Sequence, residues 1–392
     1  MIYLDNHSTT RVDPCVVAAM SAMMEIDYAN AGSSTHAAGR DVAARVNQAI
    51  QTMASCLHID TETACDELVM TSGATESNNL AIFGICLHPR QKRRQIVSVV
   101  SEHRAVLDPL ERLRSQGFEI VLLPVFPQGH ALVGQIDLEQ AAHVISDETA
   151  LVSVMHSNNE IGSYQPIREL SAICHRVGAP LHTDATQTIG HEPIQVEELG
   201  CDFMSFSAHK FYGPKGIGGL YVSSQSTAAP LHPQILGGGQ QLNRRSGTIN
   251  TAAVIGMSEA LRRCHETVTT SNTNDRELRN HLWQGLQSIA GERVRLNGPA
   301  LNGQARLARN LSVEFQGIEG QTLMLKCDSL CVSSGSACTS ADPSPSHVLQ
   351  AIGLTTDQAR CSIRFGVGRF TTIREIDQAL DSISTALKNL WI

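Results

Sequence analysis

No apolar stretch in this 392-residue sequence approaches bilayer-spanning length, so a membrane-crossing helix is not expected. The opening residues, Met1 to Thr10, carry neither a basic patch nor an apolar core, and no secretory leader is expected. An excess of positive charge is missing too. Thirty Lys and Arg against 38 Asp and Glu give a formal net charge of −8, which argues against an intrinsic nucleic-acid or acidic-membrane surface. The 11 cysteines show no paired spacing, which suits a reducing cytoplasm and not a disulfide framework. Internal repeats and low-complexity segments are lacking. What remains is an ordinary globular composition, 42% hydrophobic and 17% charged, long enough for two or three domains.

Short apolar runs alternate with amphipathic ones through the first two-thirds of the chain. Glu67–Met70, Gln95–Val100, Glu119–Leu123, Leu151–Met155, Pro180–Asp184, Asp202–Phe206 and Gly218–Val222 read as buried strands. Between them Val42–Leu57, Glu76–Cys86, Ala105–Gln116 and Pro166–Val177 read as helices. This alternation predicts an α/β domain with a mostly parallel sheet, over residues 15–258. Beyond Ile255 the pattern turns to long helices, Glu259–Val268, Arg276–Ile289 and Ile373–Leu390, flanking few strands. A smaller α+β domain, residues 1–14 with 259–392, is expected there.

Polar residues gather where the strands end, which is where open α/β sheets bind ligands. Thr71-Ser72-Gly73-Ala74-Thr75-Glu76-Ser77 joins a strand to a helix, and its small residues and free N–H groups suit an anion. It is neither a Walker loop nor a Gly-x-Gly-x-x-Gly fingerprint, and an ordinary Ser or Thr N-cap is the plainer reading. Lys210, at the end of Ser205-Phe206-Ser207-Ala208-His209-Lys210, is a candidate Schiff-base lysine, with Lys215 the weaker one. Ser207 and His209 add phosphate donors. Asp184 ends a strand and suits a protonated pyridine nitrogen or a helix N-cap. His103 suits ring stacking, proton exchange or a structural role. The amides of Asn158-Asn159-Glu160 suit a phenolic oxygen, and Arg364 suits a substrate carboxylate or a buried acid. Cys338 lies in Ser333-Ser334-Gly335-Ser336-Ala337-Cys338-Thr339-Ser340-Ala341, a loop-forming run that leaves a thiol accessible. Cys327 and Cys331 read as buried strand thiols, and no metal site is expected. Taken together, lysine, aspartate, phosphate cradle, stacking histidine, carboxylate clamp and loop thiol describe pyridoxal-phosphate chemistry on an amino acid.

Those motifs, in this order and nearly end to end from Leu4-Asp5-Asn6 to Gly368-Arg369-Phe370-Thr371-Thr372, resemble the cysteine desulfurases, fold-type I enzymes of aminotransferase class V. The long Ser333–Ala341 loop resembles the iron–sulfur-assembly group; the short Arg-x-Gly-His-His-Cys loop of the other group is absent. The resemblance implies that Lys210 binds pyridoxal 5'-phosphate, Asp184 meets its ring nitrogen, and His103 stacks on the ring. It implies that Asn159 and Gln187 lie beside the phenolic oxygen, and that Ala74, Thr75, Ser207 and His209 cradle the phosphate. Thr248 would reach the phosphate of a second subunit, which implies a homodimer. Arg364 and Asn30 would hold the carboxylate of L-cysteine, and Cys338 would take its sulfur as a persulfide for an acceptor protein. Asn30-Ala31-Gly32-Ser33-Ser34 departs from the family's Asn-Pro-x-Ser. The sequence closes at Ile392, where iron–sulfur members commonly extend to a scaffold-docking tail. That leaves the acceptor open between an iron–sulfur scaffold and a tRNA- or DNA-thiolation protein. Alternatives of the same fold are a selenocysteine lyase or an aminotransferase; a non-catalytic scaffold is a third.

Overall fold

The chain opens on a two-residue strand, β1 (Ile2–Tyr3), and then lays down the seven strands of the central sheet. These are β2 (Leu68–Thr71), β3 (Gln95–Val99), β4 (Glu119–Leu123), β5 (Thr149–Ser153), β6 (Leu181–Asp184), β7 (Phe203–Ser207) and β8 (Gly218–Val222). They correspond to the seven apolar runs of the sequence. The computed structural model describes residues 1–226, 231–303, 305–334 and 344–391. Strand order is β2-β8-β7-β6-β5-β3-β4, and β8 alone runs against its neighbours. Alternate residues face opposite sides: Val97 and Val99 enter one core while Ile96 enters the other, and Val152 and Leu151 divide in the same way. Burial on both faces is why these strands are continuous apolar runs.

Five further strands follow: β9 (Val294–Leu296), β10 (Asn310–Phe315), β11 (Leu330–Cys331), β12 (Ser333–Ser334) and β13 (Ser362–Gly366). Four of them form an antiparallel sheet in the order β12-β13-β10-β9, while β11 pairs in parallel with β1. A separate apolar core lies here, built from Leu4, Leu282, Leu286, Val313, Phe315, Ile376 and Ile383 among others. The helix Ile373–Leu390 covers it, started by a capping box in which Thr372 and Glu375 satisfy each other's backbone N–H.

One expectation is corrected outright. Glu259–Val268 and Arg276–Ile289 are not two helices but parts of a single 40-residue helix, Thr251–Ala290, which runs across position 258. The polar stretch Thr269–Asp275 suggested a break. Its hydroxyls bond back into the helix instead, as Thr273 Oγ1 does to the Thr269 carbonyl at 3.1 Å, and Asn272 donates to Glu192 at 3.0 Å. Packing holds each half: Val254, Met257 and Leu261 join the larger core, and Leu278, Leu282 and Leu286 the smaller. A second correction concerns Cys327, which is buried but lies at the C-cap of the helix Gly320–Lys326, not in a strand.

Candidate functional site

A cavity of about 530 Å³ opens where β2, β5, β6 and β7 end. Ala74, Thr75, His103, Asn159, Asp184, Gln187, Ser207, His209, Lys210 and Arg364 all line it. Residues scattered over nearly 300 positions of sequence are therefore brought together by the parallel strand ends, as the sequence reading required.

One end of the cavity is an anion cradle. Gly73 is the N-cap of the helix Ala74–Cys86, and no side chain caps that N-terminus, contrary to the simple Ser or Thr cap allowed above. At φ 151° and ψ 177° Gly73 occupies backbone space reserved to glycine, which turns the helix's first N–H groups toward the cavity. Gly218 makes room for it: a Cβ there would meet the Phe206 carbonyl at 2.5 Å and the Gly73 Cα at 2.7 Å. The turn is braced from below, where Thr71 and Ser77 hydroxyls meet at 2.8 Å and Ser77 donates to the Gly219 carbonyl at 2.9 Å. Thr75, Ser207 and His209 add side-chain groups around this turn. Burial, then the charges of Lys210 and Lys215, lower His209 to about 4. Lys215 is exposed at the rim.

Lys210 follows β7 in a short 3-10 turn, half-buried, with Nζ donating to the His7 and Ser8 carbonyls at 2.7 Å each. Across from it, Asp184 accepts from Asn78 Nδ2 at 2.7 Å and from the Thr186 N–H at 2.9 Å, so both carboxylate oxygens are held. Glu102 is also buried; burial first, then the Asp184 charge, push it well above the ordinary carboxylate range. His103 caps the helix Arg104–Arg114 through Nδ1, which accepts from the Ala105 N–H at 3.0 Å. Burial lowers its pKa, and a neutral ring with its flat face free of charge suits stacking.

Arg364, on β13, is 4% exposed. Nη2 pairs with Asp5 at 3.0 Å and donates to Ser8 Oγ at 2.8 Å, and Nη1 donates to the Asn159 carbonyl at 3.1 Å. The two readings of this arginine are therefore not exclusive: an acid holds it, and it still lines the cavity. Its Nε has no partner among the described residues, nor do His7 Nε2, Asn78 Oδ1 and Thr186 Oγ1, four buried polar atoms in the cavity wall. Orphaned polar groups, an anion cradle, a fixed carboxylate and an amine fit a phosphorylated aromatic cofactor with a basic ring nitrogen.

Three expected residues stand apart. Asn30 does not line the cavity of its own chain; it is exposed, and its Oδ1 accepts from the Gly32 N–H at 2.8 Å. Thr248 is likewise exposed and outside the lining, on the surface where a second subunit was expected. Cys338 lies outside the described residues. On either side of it, Ser333 donates to Asp5 at 2.8 Å and Ser346 donates to Glu160 at 2.5 Å. The sequence reading missed His7, Ser8, Asn78, Glu102 and Arg309, each of which is defined by its partners in space. Only the polar run Asn6-His7-Ser8-Thr9-Thr10 after an apolar strand offered a signal.

The aminotransferase class-V family model matches residues 2–379. The cysteine desulfurase IscS of Klebsiella pneumoniae is 42% identical over 391 residues, which cover 99% of this chain and 93% of that one. Among solved structures, a NifS-like protein superposes with a TM-score of 0.89 at 32% identity, covering 99% of this chain and all of the other. A structure of SspA in complex with cysteine gives a TM-score of 0.79 at 30% identity over 95% of this chain and all of the other. With that likeness over almost every residue, and with the cavity assembled as described, the chain belongs to the aminotransferase class-V family and, within it, to the cysteine desulfurases.

Proposed function

We propose that the chain is a pyridoxal-phosphate-dependent L-cysteine desulfurase that leaves sulfur on Cys338 as a persulfide. The observation that carries the reading is the convergence of Lys210, Asp184, His103, the uncapped helix end at Gly73 and Arg364 on one cavity. When bound, the cofactor supplies an electron sink for the carbon skeleton of an amino acid. Lys210 anchors it and, once released, moves a proton at the substrate Cα. Asp184 keeps the ring nitrogen protonated, and Asn78 and Thr186 hold Asp184 in place. His103 would pack on the ring face, Asn159 and Gln187 would take its phenolic oxygen, and Ala74, Thr75, Ser207 and His209 would hold the phosphate. Arg364 takes the substrate carboxylate.

Cys338 then attacks the substrate sulfur as a thiolate. An S–S bond forms on Cys338, the substrate C–S bond breaks, and the carbon skeleton takes up protons and leaves as alanine. The reaction balances without an outside oxidant or reductant, because the two electrons that sulfur gives up in forming the S–S bond are taken up by the substrate Cβ as its C–S bond is replaced by C–H. The surface that carries Thr248 also exposes Leu236 and Leu242, and Tyr28 and Ile26 are exposed large side chains elsewhere. Such apolar exposure favours a homodimer in which Thr248 serves the partner's phosphate. Among the described residues no helix is long and apolar enough to cross a membrane. We place the enzyme in the cytoplasm, handing its sulfur to an acceptor protein.

Alanine formed from L-cysteine by the cofactor-loaded protein tests this, beside Lys210→Ala and Cys338→Ala. Wild-type activity with loss of alanine in both variants is the expected result. Full alanine formation by Cys338→Ala would overturn the persulfide role of Cys338, because carbon–sulfur cleavage would then need no thiol there.

A further inference from the structure

Gln187 is held by more than its position after β6. Its Oε1 accepts from Arg309 Nη2 at 2.9 Å and from His7 Nδ1 at 2.9 Å, while its Nε2 donates to the His7 carbonyl at 3.0 Å. Arg309 comes from the residue before β10 and is 1% exposed. Its other bonds go to backbone carbonyls, those of Asn6 at 3.2 Å and Gln187 at 3.3 Å. A guanidinium only donates, and His7 must donate from Nδ1 because it faces an oxygen. A flipped Gln187 would set its NH₂ group against the Arg309 donor and its oxygen against the His7 carbonyl, so this amide has one permitted orientation. One hydrogen of Nε2 goes to His7. The other is left for a group in the cavity that Gln187 lines.

We propose that Arg309 and His7 are positioning residues that lock the Gln187 amide with its N–H toward the cavity and polarise that N–H with a buried positive charge, so that the cofactor's phenolic oxygen is held as an anion. The inference rests on the pyridoxal-phosphate reading above. A hydrogen bond to a charged acceptor in a low-dielectric site is stronger than a neutral one, and a full charge behind the donor strengthens it further. The same charge opposes protonation of the Lys210 linkage to the cofactor. Removing the lock favours the protonated linkage, which absorbs at longer wavelength. The charged and titratable groups facing this region are Arg309, Arg364, Lys210, Asp184, His103 and His191, with Asp275, Tyr212, Cys264 and Tyr164 facing Arg309 from behind. Burial and the two arginine charges keep His7 itself neutral.

The test compares His7→Leu, which removes the Nδ1 donor, with His7→Asn, whose amide returns an N–H to the same place. Cofactor affinity is measured by titration of pyridoxal phosphate, and the ratio of long- to short-wavelength absorbance of bound cofactor is read at one fixed pH. We expect His7→Leu to weaken the cofactor about tenfold and to raise that ratio about tenfold, with His7→Asn restoring both. In a Gln187→Leu background, His7→Leu should add nothing, because its effect runs through the amide. Gln187→Glu keeps an acceptor for Arg309 and for His7 Nδ1 but sets an oxygen, in place of the N–H, toward the His7 carbonyl and the cavity. It should weaken the cofactor more than tenfold. Unchanged affinity and absorbance ratio in a folded His7→Leu protein would overturn the proposal, as would an undiminished effect in the Gln187→Leu background or wild-type cofactor affinity in Gln187→Glu. A wild-type protein that takes up no pyridoxal phosphate overturns the functional reading itself and is recognised before any variant is compared.

Discussion

Replacing Glu160 with Gln removes a carboxyl that the fold confines beside the cavity. The residue is 6% exposed, and its Oε2 accepts from Ser346, the N-cap of the helix His347–Ala351. Burial pushes the Glu160 carboxyl up from 4.5 to about 7, although the Ser346 hydroxyl and the Arg364 charge both work the other way. At about 1.4 kcal/mol per tenfold change in proton affinity, holding this carboxyl near 7 corresponds to roughly 3 kcal/mol. The sign follows from proton counts. Below about 4.5 folded and unfolded chains both carry the proton, so the contribution is fully present. As pH rises from there toward 7 the unfolded chain releases its proton while the folded chain retains it, and stability falls. Above about 7 the loss levels off.

Glu160→Gln cannot ionise, and its Oε1 still accepts from Ser346. The variant should therefore gain on the wild type as pH rises, by about 3 kcal/mol in total, with every other titrating group common to both proteins. Unfolding entropy of about 2.1 cal/mol/K per residue converts this into roughly 4 °C for a chain of this length. Thermal melts of the two proteins at matched ionic strength, from pH values below 4.5 to above 7, give the difference directly. A gap that stays constant across the range, or that moves against the variant, would refute the assignment of a buried, neutral Glu160.

Gly218→Ala should damage the anion cradle, because its Cβ would press on backbone at 2.5–2.8 Å rather than on a movable side chain. Overpacking of about 1–3 kcal/mol is expected, read as a lower melting temperature and weaker pyridoxal-phosphate binding; wild-type affinity would show that the Gly73 turn is not where the phosphate sits. Thr270→Pro places a proline at an exposed interior position of the helix Thr251–Ala290 and should cost about 3 kcal/mol, near 4 °C, with Thr270→Ala neutral or slightly stabilising. Tolerance of the proline would restore the two-helix reading of this segment.

Seven strands and the site residues at their ends were legible because each depends on local pattern. Apolar runs on both sheet faces mark the strands, and small or polar residues immediately after them mark the ligand edge. The 40-residue helix was not legible, because Thr269–Asp275 has weak helix propensity and is carried by two cores on which its flanks pack. Asn30, whose run departs from the family's Asn-Pro-x-Ser, and Thr248 lie outside this chain's cavity, and sequence does not say which chain's cavity a residue serves. Arg309 illustrates the harder limit. In the sequence it is one arginine in Arg306-Leu307-Ala308-Arg309, beside a second that is equally buried, and nothing local separates them. Arg306 donates to the Pro299 and Asn297 carbonyls and to Asn310, and closes a loop. Arg309, one helical turn's worth of residues later, reaches Gln187 and Asn6 instead. The difference in role is set by which strand ends lie opposite, so it becomes visible only when β10 has been placed against the start of the chain. Residues that touch a ligand carry a chemical type that a sequence displays; residues that orient those groups are chosen by geometry, and their chemistry has to be read from the fold.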